Sequence, residues 1–80
     1  MRIEVYHNES CALKKHVVEN FENNPNLHPV CKGILITYIE SEFNGVKVFD
    51  DVNDVIIDMP LSNAFRLDLL QEKIIQYETN

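Results

Sequence analysis

Six consecutive residues, Ile34-Leu35-Ile36-Thr37-Tyr38-Ile39, constrain this chain more than any other segment. Four of them are β-branched, and neither alternate set is charged, so a strand here has no side to give to water. Such a strand belongs in the middle of a sheet. The sheet must be completed within 80 residues, which is enough for one small domain spanning 1–80 and no more. The composition, 45% hydrophobic and 25% charged, is globular and argues against disorder. Two glycines and three prolines leave no long flexible linker.

The other elements follow from periodicity. Ile3 and Val5 alternate with Arg2, Glu4 and Tyr6, the pattern of a half-buried strand. Asn8 or Ser10 can cap the helix that follows, and Leu13, Val17 and Phe21, widened by Val18, form its apolar stripe. Asn23-Asn24-Pro25-Asn26 ends that helix, and Pro29 marks further irregular backbone. After the strand at 34–39, Asn44-Gly45 signals a two-residue type I′ hairpin, with Phe43 opposite Val46 and Glu42 opposite Lys47. A third strand is expected at about Val46–Asp50. Asp50-Asp51-Val52-Asn53-Asp54 reads as a turn, and Val55-Ile56-Ile57 as a short fourth strand ended by Pro60.

Ser62 is a good N-cap for a last helix reaching about Tyr77. Leu67, Leu70, Ile74 and Tyr77 make its core stripe. Phe65 and Leu69 lie four apart on another side, and Ala64 and Ile75 on a third. A helix apolar nearly all round needs cover on more than one side, and a chain this short has little to spare.

The order is therefore β-α-β-β-β-α. Sequential elements usually pack together, which gives an α+β two-layer sandwich: a mixed sheet of three or four strands with both helices on one face. The opposite face holds Arg2, Glu4 and Tyr6 beside a strand that has no polar side, so it cannot be wholly polar.

Charge excludes some functions. The chain carries a formal −6, and all of it arises after residue 39. Glu40, Glu42, Asp50, Asp51, Asp54 and Asp58 face only Lys47 in their stretch. Direct binding to nucleic-acid phosphate needs a basic stripe, which is missing. An acidic field favours basic partners. No apolar run is long enough for a membrane span, and Met1-Arg2-Ile3-Glu4 lacks a signal-peptide pattern. With only two cysteines, a reducing cytoplasm is the expected compartment.

All cysteines and histidines fall within residues 7–31. His28-x-x-Cys31 has a spacing that zinc accepts, with Cys11 and His7 as the other candidate ligands across the strand–helix turn. Cys11 and His16 diverge by about 140° around a helix. Asp50, Asp51 and Asp54 lack the glycine and glutamate of a calcium-binding EF-hand loop. The chain has no glycine-rich phosphate loop, and no cofactor is expected.

Val5-Tyr6 separated by four residues from Cys11 is similar to the strand-to-cysteine segment of glutaredoxin-like proteins. The likeness covers about a dozen residues and implies a reactive thiol at Cys11. Lys14 stands where that family's second cysteine would be and Ala12 where it often has proline, so the resemblance implies a monothiol form. Asp58-Met59-Pro60 would have to supply the family's cis-proline.

The expected function is a non-enzymatic binding or regulatory module acting through a protein–protein interface. Phe65 and Leu69, with Leu61, form its apolar anchor, and Glu40, Glu42, Asp50, Asp51 and Asp54 its acidic rim. The partner is a basic protein or one with an apolar groove. A phage-type inhibitor of a nucleic-acid-handling host protein is one form of this reading, suggested by acids spaced like phosphates and by the Asn- and Ile-rich, Ala-poor composition. A two-fold homodimer through the last helix is another. The rival reading is a thioredoxin/glutaredoxin-like monothiol or a small zinc protein using Cys11, His28 and Cys31.

Overall fold

The computed structural model describes residues 1–8, 13–60 and 66–79. Strand β1 runs Arg2–His7. Helix α1, Leu13–Val17, continues into a π-helical turn, Val18–Glu22, and a 3₁₀ turn follows at Pro29–Cys31. Strands β2 (Leu35–Glu40), β3 (Gly45–Phe49) and β4 (Val55–Pro60) precede the last helix, α2, at Leu67–Thr79. The four strands form one mixed sheet in the order β2-β1-β3-β4, with β1 parallel to β2 and antiparallel to β3. The α+β class and the β-α-β-β-β-α order are as the periodicity predicts.

Alternation along the strands decides what faces the helices. Ile3 and Val5 of β1, Val46 and Val48 of β3, and Ile57 and Met59 of β4 are buried on one face. Leu13, Val17 and Phe21 from the first helical segment and Leu67, Leu70 and Ile74 from α2 close over them in a single core, which also takes in Leu27 and Cys31. Each large aliphatic side chain so buried contributes about 1.5–3 kcal/mol. The amide of Gln71 on α2 donates to the Asn20 carbonyl at 3.3 Å, tying α2 to the π-helical turn. The Asn24 amide donates to the same carbonyl at 3.1 Å. In a π turn the usual i−4 bond is lost, and such side-chain donors satisfy the carbonyls it leaves.

The Asn44-Gly45 hairpin does not form. β1 lies between β2 and β3, so Gly45 pairs with Tyr6, and Lys47 with Glu4 and Asp58, rather than with residues of β2. A type I′ turn needs positive φ at both central residues, and among the described residues only Gly33 and Asn53 have it. Gly45 is required for another reason: a Cβ there would lie 3.1 Å from the Met59 carbonyl oxygen on the neighbouring strand. Among the described residues one tight hairpin forms, and it joins β3 to β4. Asp50 builds it, its carboxylate accepting from the Val52 and Asp54 amides at 3.0 and 2.9 Å, while Asn53 takes the left-handed conformation.

β2 is consequently an edge strand and not the central one its composition implies. The two central strands are β1 and β3, and the parallel pairing of β1 with β2 sends the apolar segment to the rim. Its outward residue Leu35 is 65% exposed. β4 is longer than expected, reaching Pro60, and a register shift at Val48/Phe49 makes Ile56 the extra residue of a bulge. Tyr77, assigned to the core stripe of the last helix, is 46% exposed. It lies in the final turn of α2, lining an open cavity with Met1 and Asp50, Asp51 and Val52 of the β3–β4 turn.

Candidate functional surface

Registers place β1 residues Arg2, Glu4 and Tyr6 on the face away from the helices. Lys47 and Phe49 of β3 and Leu35, Thr37 and Ile39 of β2 stand beside them. Both helices pack on the other side, so this face is open among the described residues. Its surface is a charge-and-ring mosaic. The Arg2 guanidinium sits 4.1 Å over the Phe49 ring, and it also lies 3.6 Å from the Glu4 carboxylate. The Tyr6 hydroxyl donates to Glu4, and that hydrogen bond, more than burial or Glu4's charge, pushes the Tyr6 phenol up from its ordinary value.

At one end of this face Tyr6 stacks on Phe43, ring centroids 5.3 Å apart and planes 22° apart. The Lys47 ammonium lies 5.5 Å from the Tyr6 ring on the same patch. Phe43 is 56% exposed although it belongs to no strand. The loop carrying it is fixed at both ends. The Ser41 amide donates to the His7 carbonyl at 2.9 Å, and the Asn8 amide donates to the Asn44 side-chain oxygen at 2.8 Å. Beside the stack lies an open cavity of about 300 Å³ lined by Tyr6, Phe43, Asn44, Lys47, Asp58 and Pro60. A larger one of about 430 Å³ lies under the 3₁₀ turn, between Phe21, Leu27, Cys31 and Ile36, with Glu22 and Lys32 also on its lining.

The acids expected to act together are split. Glu40 and Glu42 are exposed at the Phe43 end of the sheet. Asp50, Asp51 and Asp54 sit at the other end, about 16 Å away along strands of this length. There Asp50 serves the turn, and Asp51 pairs with the Met1 amine at 2.6 Å, which holds its carboxyl below the ordinary value. Leu69 is half-buried and packs against the core, as does Ile75. Leu61, Phe65 and Cys11 lie outside the described residues. The aromatic pair Tyr6–Phe43 was the feature hidden in the sequence. The signal for it was an aromatic on the polar side of β1 and another beside Asn44-Gly45.

Among the candidate metal ligands, Cys31 is buried at 2% exposure, and burial pushes its thiol up. His28 is exposed, and its Nδ1 accepts from the Val30 amide at 3.1 Å, capping the 3₁₀ turn. His7 ends β1. No group of three or more His, Cys, Asp or Glu side chains suited to a metal occurs among the described residues. No described helix is long and apolar enough to cross a membrane. No protein-family model, no curated protein and no solved structure matches this chain.

Proposed function

We propose that this chain is a small binding module that engages a protein partner through the open sheet face around Phe43 and Tyr6. The observation that carries the reading is a large aromatic ring, Phe43, held more than half exposed by two loop hydrogen bonds and backed by a stacked second ring. An exposed ring is usual; a positioned one beside a cavity is the geometry of an interface anchor. Asp58 lines the cavity beside it and Glu42 is its exposed chain neighbour, which suits a partner bringing an arginine or lysine whose apolar stem lies on the rings. The test compares partners retained from the native host by the wild-type chain and by Phe43→Asp, with both shown to be equally folded. A retained protein lost with Phe43→Asp supports the reading; identical sets reject it.

A second reading, a glutaredoxin-like monothiol protein using Cys11, is favoured by one feature of the topology. Cys11 falls in the connection between β1 and α1 of a parallel strand–helix–strand unit, and open α/β sheets place ligands outside the carboxyl ends of such strands. The family's cis-proline has no counterpart among the described residues: Pro60 ends β4, and none of their peptide bonds is cis. This reading requires Cys11 to be alkylated at pH 6 faster than a free thiol; a rate equal to the free thiol's rejects it.

A further inference from the structure

The open sheet face already holds one guanidinium. Arg2 lies 4.1 Å over the Phe49 ring, with the Glu4 carboxylate 3.6 Å from it. The Phe43 end carries the same two acceptors, a ring and an acid, without the cation. Phe43 is more than half exposed, and Asp58, on the lining of the same cavity, makes no ion pair among the described residues. Lys47 stands directly opposite Asp58 across β3 and β4, yet its ammonium lies toward the Tyr6 ring. We infer that the cavity beside Phe43 takes an arginine side chain of the partner, its guanidinium stacked on the Phe43 ring and paired with Asp58, an assignment that rests on the binding surface proposed above.

The strand register makes the room. Directly opposed residues of antiparallel strands share a face, so Gly45 of β3 stands on the open face between Tyr6 of β1 and Pro60 of β4. It brings no side chain, and the cavity of about 300 Å³ is lined by all three. Two residues along, the same face carries Glu4, Lys47 and Asp58 in one row. Glu4 is taken by Arg2 and by the Tyr6 hydroxyl. Asp58 remains, and its charge reaches the Tyr6 phenol. A guanidinium suits this setting better than an ammonium. It is planar, stacks on an aromatic face, is weakly hydrated and offers a carboxylate two parallel donors. An anion drawn to Lys47 would meet Asp58 directly across the strand pair.

Amide chemical-shift titration of the whole chain tests the assignment. The probe is a blocked glycine–arginine–glycine tripeptide, added to about 10 mM because one side chain in an open cavity binds in the millimolar range. Saturable shifts are expected at Asn44, Gly45, Lys47 and Asp58. The same peptide with lysine should bind several-fold more weakly. With citrulline, which keeps the shape and loses the charge, it should not bind. Asp58→Asn, at an exposed site, should weaken the arginine peptide several-fold and leave the rest of the spectrum as it was. No saturable shift with arginine, equal binding of lysine or citrulline, tighter binding of a glutamate peptide, or arginine binding that survives Asp58→Asn would each overturn the inference. The pull-down separates this failure from that of the proposed surface. A host protein lost with Phe43→Asp and kept by Asp58→Asn overturns the arginine assignment alone. Arginine-selective shifts beside identical pull-down sets support the pocket and reject the protein partner.

Discussion

The amide of Asn8, one residue past β1, donates to the side chain of Asn44, one residue before β3, across 2.8 Å. This bond ties the connection that leaves β1 to the loop that presents Phe43. It takes the place of the hairpin that Asn44-Gly45 would otherwise make, and it explains why an exposed ring keeps a fixed position. Asn44→Ala is expected to lower stability by about 1 kcal/mol, the usual cost of one such bond. It should also raise the hydrogen-exchange rates of residues 41–44. Unchanged exchange there would show the loop to be held by other contacts.

Phe43→Asp removes a stack worth about 0.5–1.5 kcal/mol and buries no charge, because the ring is exposed. Denaturant melts should therefore shift by no more than about that amount. A larger loss would mean that the ring is part of the core and not a presented surface.

The two glycines should respond oppositely to asparagine. Gly33 has φ +80° with open space where a side chain would go, and asparagine tolerates that conformation. Gly33→Asn should cost less than about 1 kcal/mol. Gly45→Asn drives a side chain into the β4 backbone and should cost about 1–3 kcal/mol. Thermal melts of the two variants decide the matter.

Stability should fall at alkaline pH. Burial first, and then the 2.9 Å hydrogen bond to Glu22, push the Tyr38 phenol well above its ordinary 10.0. The folded chain thus keeps a proton that the unfolded chain releases near pH 10, so the stabilisation is whole below that pH and is lost as pH rises above it. Tyr6 and Cys31 are shifted in the same direction. Melting temperatures of Tyr38→Phe should decline less steeply above pH 10 than those of the wild type. Parallel curves would remove Tyr38 from the account.

Cys31 should be silent to thiol reagents in the folded protein, since it is packed in the core and held protonated by burial. Labelling followed by mass spectrometry should find Cys11 modified first under native conditions. Rapid labelling of Cys31 would show that the 3₁₀ turn opens readily.

The local elements were legible because each depends on residues close in sequence. The alternation of β1, the stripe of Leu13, Val17 and Phe21, the Asp50–Asp54 turn and the stripe of Leu67, Leu70 and Ile74 all appear where periodicity puts them. From these the class and the order of elements follow. The partners of each strand depend on residues far apart in sequence. Ile34–Ile39 looks like a central strand and stands at the edge, since β1 satisfies β2 on one side and takes β3 on the other. That choice cancelled the hairpin and turned Asn44 and Phe43 outward into a loop tied to Asn8. Sequence alone therefore determined which segments fold and which sides are apolar. Only tertiary pairing decided which apolar side is left uncovered, because burial is settled by the neighbour a strand acquires and not by the strand itself.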